Sequence, residues 1–410
     1  MRTVFLLTLA LSLWAKQPLS PLEEKLYSFI LQNQIREHPI ERYIGTWPSY
    51  PKYSGVRKEI PESNSFMTLQ TLIFLHEVHQ DYILPGLDKV VNAANRQILQ
   101  YVDDAKQTDE PTGTVAFWPL VQTDEGRWIR SFDTQWYNTS MRILDVGNDF
   151  DTSSQAFVWL YRSKQKRAFL DGFVHSVNRY TDTNRLHEHP LNLLWKEADS
   201  GAFLTWAEEE APAKPVNRIM DLVNDVDCVV NLNILTALSL YENNIDLLPP
   251  QTLNAKEASC TLTHKVIRTA QEERCGTWYT RPSHFYLAYA KAYKADTFCI
   301  QKDKNIILQR AKQRVRYLLE HPALEAYTEI AEYIIILKTL QGTGERGYFL
   351  KKMILSLEDT LRKGIVEKGE YAYLPSKHSL FGGEAFGLFH FNWYGRANAT
   401  ALALRALTMN

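Results

Sequence analysis

The sequence predicts an all-α protein, and within that class a single α/α toroid of six helical hairpins with an inner and an outer ring of helices. Three observations predict it. Apolar residues recur at helical spacing in about twelve segments, while strand alternation is almost absent. A glycine-x-aromatic signal recurs ahead of helical segments, at Gly45-Thr46-Trp47, Gly126-Arg127-Trp128, Gly201-Ala202-Phe203, Gly276-Thr277-Trp278 and Gly369-Glu370-Tyr371. Its intervals of 81, 75, 75 and 93 residues mark a repeated supersecondary unit. Long connections also precede every second helix, whereas the returns are short.

In chain order, residues 1 to 15 combine a charged start, a short apolar run and a small residue at Ala15. This is the pattern of a signal peptide cut after Ala15, because about ten apolar residues fall short of a bilayer core of about 30 Å. An uncleaved anchor is the alternative. The chain is therefore expected to be exported, periplasmic or secreted. Residues 16 to 63 read as an N-terminal arm that closes the ring, and residues 64 to 410 as the toroid.

Helical stripes run from Leu22 to Arg36, Phe66 to Val78, Leu87 to Val102, Thr152 to Tyr161, Arg167 to Tyr180 and Val226 to Tyr241. They continue from Ala255 to Ala270, Phe285 to Tyr293, Ile306 to Leu319, Leu324 to Leu340, Phe349 to Leu361 and Ala397 to Leu407. The long connections, 106 to 148, 181 to 224 and 364 to 394, fall on one rim if the helices alternate inner and outer; an open helical solenoid is the alternative arrangement. That rim carries the N-termini of the inner helices, whose unpaired N–H groups and positive dipole ends favour carboxylates and anions. Function is expected there.

Composition excludes several classes. A net charge of −1 gives no electrostatic argument for nucleic acid or an anionic membrane, and no later stretch approaches the roughly 18 apolar residues of a membrane span. The four cysteines, an even count in an exported chain, permit disulfides without fixing a pairing. They lack the C-x-x-C spacing of a structural zinc site, and no metal or cofactor is expected. G-x-S-x-G, P-loop and G-x-G-x-x-G strings are missing from the sequence.

Gln122 precedes the second glycine-x-aromatic copy, giving Gln122-x-x-x-Gly126-x-Trp128, and Glu272 stands at the equivalent place in the fourth. In this string the chain resembles the terpenoid cyclase and prenyltransferase toroids. The resemblance implies that Trp128 and Trp278 wedge between hairpins. It also implies a role for Asp149-Phe150-Asp151-Thr152-Ser153-Ser154, which keeps the first and middle acids of the family's D-x-D-D-T-A motif. There the middle acid, Asp151 here, is the proton donor; Thr152 stands in place of the last Asp and Ser154 in place of the Ala. The family's zinc pattern, Asp-x-Cys, is not kept, since Asp227 and Cys228 are adjacent.

The residues themselves support two readings of the acids. Asn148-Asp149-Phe150-Asp151 and Asn224-Asp225-Val226-Asp227 stand at the starts of successive inner helices, where Asn and Asp are preferred caps. Two carboxylates per helix exceed what a cap requires, and paired carboxylates in a dry cavity push their pKa values apart for acid/base work. His284 and Tyr286 follow Pro282 at the next inner helix, and Arg396 and Asn398 open the last one toward the cavity. Trp118, Trp278, Tyr279 and Trp393 would supply aromatic walls suited to sugar faces, flat polycycles or carbocations. The expected function is acid/base chemistry on an apolar or polycyclic ligand in an aromatic-lined cavity. The alternatives are a carbohydrate-active hydrolase or lyase acting on an oligosaccharide, and a binding protein whose acids are only caps.

Overall fold

The computed structural model describes residues 16–53, 61–107, 113–122, 126, 128–130, 147–184, 200–207, 224–276, 278–279, 281–321, 326–341, 345–375, 381–385 and 389–409. Among them are twelve α-helices, one for each stripe read from the sequence. They are α1 (Pro21–Gln32), α2 (Ser65–Asp81), α3 (Leu87–Gln107), α4 (Phe150–Arg162), α5 (Arg167–Val177) and α6 (Cys228–Asn244). The second half supplies α7 (Pro250–Thr269), α8 (Pro282–Lys294), α9 (Lys304–Glu320), α10 (Tyr327–Leu340), α11 (Glu345–Gly364) and α12 (Arg396–Thr408). The proposed leader, residues 1–15, lies outside the described residues, as do Trp136 and Trp195.

Local chemistry sets the helix starts. Glu23 reaches back to accept from the Ser20 amide at 2.8 Å at the start of α1, and Pro21, Pro250 and Pro282 occupy first-turn positions where no N–H is required. Asn64, Asp149 and Asp227 cap α2, α4 and α6 through side-chain oxygens.

Burial then divides the helices into two classes. Every residue of α6 from Cys228 to Ser239, and every residue of α12 from Ala397 to Thr408, is buried. By contrast α9 buries only Ile307, Ala311, Val315 and Leu318, a single stripe at helical spacing. A helix buried all round has protein on all sides; a striped one packs by one face. The packing agrees: α2 lies on α4, α4 on α6, α6 on α8, α8 on α10, α10 on α12, and α12 on α2 again. The flanking helices attach to this succession, α3 to α2, α5 to α4, α7 to α6, α9 and α11 to α10, and α1 to α12.

Short strands absent from the sequence reading occupy the connections. β1 (Tyr50–Tyr53) pairs antiparallel with β9 (Phe389–Tyr394), which pairs with β8 (Phe381–Ala385), so the segments before α2 and before α12 share one sheet. β2 (Val115–Ala116) pairs with β5 (Asn148–Asp149), β3 (Leu120–Gln122) with β4 (Trp128–Arg130), and β6 (Val366–Lys368) with β7 (Tyr371–Tyr373). These ladders are two to six residues long, too short to print a period-two pattern.

The glycine signal acquires a physical cause, with one correction. Gly45 has φ +94°, and a Cβ there would stand 2.5 Å from the Ala93 carbonyl oxygen of α3. Gly113 has φ +87°, and a Cβ would meet the Phe173 backbone nitrogen of α5 at 1.9 Å. Both glycines let a connection lie directly on a flanking helix. Gly126, by contrast, sits between β3 and β4, where Gln122 pairs with Trp128 and its amide donates to the Gly126 carbonyl at 3.0 Å. The Q-x-x-x-G-x-W string is therefore a hairpin here, and the glycine of this stretch that packs on a helix is Gly113, which lies outside the glycine-x-aromatic series.

Two disulfides, Cys228 to Cys275 and Cys260 to Cys299, use all four cysteines. The first ties the start of α6 to the segment that carries Trp278 and Tyr279. No helix among the described residues is long and apolar enough to cross a membrane.

Candidate functional site

The two acidic repeats divide by what their oxygens meet. Asp149 turns back on its own helix, accepting from the Thr152 amide at 2.5 Å through Oδ1. Its Oδ2 is buried without a partner, and burial, reinforced by the charge of Asp151, pushes the carboxyl up to about 8. Asp227 is saturated by backbone: Oδ1 accepts from the Val229 and Val230 amides at 2.7 and 3.2 Å, and Oδ2 from the Trp278 amide at 2.9 Å. Burial still raises it to about 7 against the pull of those amides. Asp225 is buried, and its backbone carbonyl accepts from the Thr205 amide and hydroxyl at 3.0 and 2.8 Å.

Asp151, unlike Asp149 and Asp227, is held at both oxygens by side chains from other elements. Its Oδ1 accepts from Asn233 Nδ2 of α6 at 2.7 Å, and its Oδ2 accepts from the Tyr279 hydroxyl. Burial raises it to about 6, opposed by those two donors and by Lys291. Tyr279 is itself buried, and burial together with Asp151 keeps its hydroxyl protonated, its pKa well above the usual phenol value. The ring of Tyr279 meets the edge of His284 with centroids 5.4 Å apart. His284 Nε2 lies 2.6 Å from Arg281 Nη2 and 3.5 Å from Glu332 Oε1.

Tyr279, His284 and Glu332 line a chamber of about 30 Å³ with Gln70, Phe74, Asn233 and Lys291, enough for water rather than a polycycle, and Asp151 adjoins it through its partners Asn233 and Tyr279. Lys291 lies two turns beyond His284 on the same face of α8. Burial lowers its pKa, with Glu77 and Asp151 opposing. Glu332 is raised by burial, with Arg281 opposing. Above Asp149 and Asp227, the indole N–H groups of Trp206 and Trp278 are buried without hydrogen-bond partners, their rings edge to face at 5.5 Å. No three His, Cys, Asp or Glu side chains gather in metal-binding fashion among the described residues.

Family models, curated proteins and solved structures offer no match to this chain. The site is therefore read from its own chemistry.

The other residues singled out by sequence lie elsewhere. Trp118 donates from Nε1 to Glu62 Oε2 at 2.6 Å, and Trp393 stands 6.2 Å from Trp118. Both belong to a cluster around Glu62, which burial raises to about 7 against donors that include Asn64, Trp118 and Ser49. Tyr286 is buried between Phe285 and Tyr333, within the electrostatic reach of Glu272 and Arg310 rather than of Asp151. Arg396 is exposed, its guanidinium 6.0 Å from the centre of the Tyr50 ring. Asn398 donates to the Met67 carbonyl and Thr71 hydroxyl, both at 3.2 Å, and clamps α12 on α2. The side chain of Trp128 lies outside the described residues. Asn233, Arg281, Lys291 and Glu332 were not anticipated. Each stands in or beside a helix with other polar residues one turn or less away, so no spacing singles it out in the sequence.

Proposed function

We propose that this chain is an exported α/α-toroid enzyme in which Asp151 acts as general base, assisted by Tyr279, on a small polar, hydroxyl-bearing substrate. The toroid is supported by the cyclic packing of α2, α4, α6, α8, α10 and α12, with a striped helix outside each hairpin. Export after Ala15 is supported by two disulfides, which persist in oxidising compartments.

One observation carries the chemistry. Asp149 and Asp227 give their bonded oxygens to amides, whereas both oxygens of Asp151 take side-chain donors. Donors at both oxygens favour the ionised acceptor, and a carboxylate pKa of about 6 suits proton abstraction near neutrality. A base fits these contacts better than the donor role implied by the terpenoid-cyclase resemblance. A chamber sized for water beside the partners of Asp151 suits a water to be activated, and the unpartnered indole N–H groups of Trp206 and Trp278 favour a ligand that carries hydrogen-bond acceptors over an apolar polycycle, which moves weight to a carbohydrate-active hydrolase or lyase.

The test is a screen of glycosides and uronate-containing oligosaccharides, with isoprenoids as the opposing panel. Turnover of a polar substrate should fall at least about 100-fold in Asp151→Asn at unchanged fold. Turnover confined to the isoprenoid panel, or full activity in that variant, would overturn the reading.

A further inference from the structure

A second chamber lies toward the C-terminal ends of the inner helices and shares only Asn233 and Lys291 with the first. It has a volume of about 150 Å³; Glu77, Gln155, Arg162, Asn233, Lys291 and Lys294 bring polar groups to a wall that is otherwise largely apolar, with Ile73, Val158 and Leu240 among them. Glu77, Arg162 and Lys294 come from the last turns of α2, α4 and α8.

Glu77 is the one carboxylate in this wall, and it is already engaged. Its Oε1 accepts from Arg162 Nη2 at 2.8 Å and its Oε2 from Arg405 Nε at 2.9 Å. Burial works to raise it, but Arg162 and Arg405 prevail and bring it down to about 2. Cationic capacity is left over. Arg162 Nη1 is buried without a hydrogen-bond partner. Lys291 lies over the Phe74 ring at 5.7 Å, and neither it nor Lys294 has a hydrogen bond or ion pair among the described residues. Beyond the wall, Asp151 and Glu332 act on Lys291, and exposed Asp81 acts on Lys294.

Neutralisation of helix C-termini does not account for this cluster. Each helix end carries only about half an elementary charge. A lysine that serves such an end turns to its carbonyls, as Lys338 does with the Ala406 carbonyl at 3.0 Å. Lys291 and Lys294 make no such bond. A guanidinium edge and two ammonium groups facing one small space match the geometry of an oxyanion.

We infer that this chamber binds an oxyanion, the carboxylate, sulfate or phosphate of a small ligand, between Arg162 Nη1 and the ammonium groups of Lys291 and Lys294. Its volume suits one anionic group with a few further atoms and excludes a chain of sugars. The inference stands whether or not Asp151 is catalytic, because its test reads binding alone.

Titration calorimetry of the mature chain at low ionic strength, with sulfate, phosphate, acetate, glucuronate and uncharged glucose, tests it. Saturable binding of at least one anion, with none of glucose, is expected. A preference for sulfate or phosphate assigns a tetrahedral oxyanion, and a preference for acetate or glucuronate assigns a carboxylate. Lys294→Gln, at an exposed position, should weaken binding about tenfold without cost to the fold, and Arg162→Gln should weaken it further. Lys363→Gln, on the outside of α11, should leave affinity unchanged. No saturable binding of any of the anions, or equal affinity in wild type, Lys294→Gln and Arg162→Gln, overturns the proposal.

Discussion

Asp149, Asp151 and Asp227 are one amino acid in three states, separated by what meets each oxygen. The clearest consequence is a pH dependence of stability through Asp149, whose Oδ2 has no donor to favour its charge. A carboxyl with a raised folded pKa holds its proton more tightly folded than unfolded. Its contribution is complete below about pH 4 and is lost as pH rises through about 8. Glu77 runs the other way, its contribution present above about pH 4.5 and lost as pH falls toward 2. Stability should therefore peak in mild acid, and Tm should decline on the order of 5 °C between pH 5 and pH 8. Asp149→Asn keeps the acceptor for Thr152 and removes the titration, so its melting curves should show a shallower decline. An unchanged slope would remove Asp149 as the source. At Asp227 the expectation is structural. Asp227→Ala deletes three amide contacts and should cost about 3 kcal/mol in chemical denaturation, whereas Asp151→Asn should cost less than about 1 kcal/mol.

At the scale of elements, connections and helices are fitted to one another by contacts a side chain would block. Gly113→Ala places a methyl group against the Phe173 backbone at a positive φ, and should cost more than about 3 kcal/mol or abolish soluble expression. Gly86→Ala also meets a positive φ but has open space around it, so it should cost about 1 to 2 kcal/mol. Equal losses at the two sites, read from urea midpoints, would show that conformation and not close approach sets the cost. The disulfide between Cys228 and Cys275 closes a separation of 47 residues, and its removal should cost about 4 kcal/mol in the chain-entropy account.

The helices were legible because each buries a stripe or a whole surface, and burial imprints apolar spacing on sequence. The strands were not, since Tyr50 pairs with Tyr394 and nothing local encodes such a partner. Asp151 was legible from its repeat. Asn233 and Lys291 were harder, because a single polar residue inside an apolar run such as Phe285 to Tyr293 shifts no periodicity. Only the desolvation cost of placing a charge there marks it as unusual.

At the scale of the whole molecule, stability depends on the last helix. α12 packs on α1, α2 and α10, and all its residues from Ala397 to Thr408 are buried. Burying each large apolar side chain is worth about 1.5 to 3 kcal/mol, so losing Leu402, Leu404 and Leu407 with their neighbours approaches the whole stability of a domain. Deletion of residues 396–410 should leave an aggregating chain without a cooperative melting transition. A soluble, cooperatively melting truncation would show that the remaining helices close without it.

The contact of Asn398 with Met67 spans 331 residues, and this gives the fold a temporal property. A ribosome makes α12 some 331 residues after the partner of Asn398 on α2, so the flank of α2 that receives α12 stays bare while everything between them is made. Native closure must wait until α12 has left the ribosome. Until then contacts between neighbours in sequence are the ones free to form, and the joining of α12 to α2 is the slow, non-local step that completes the packing.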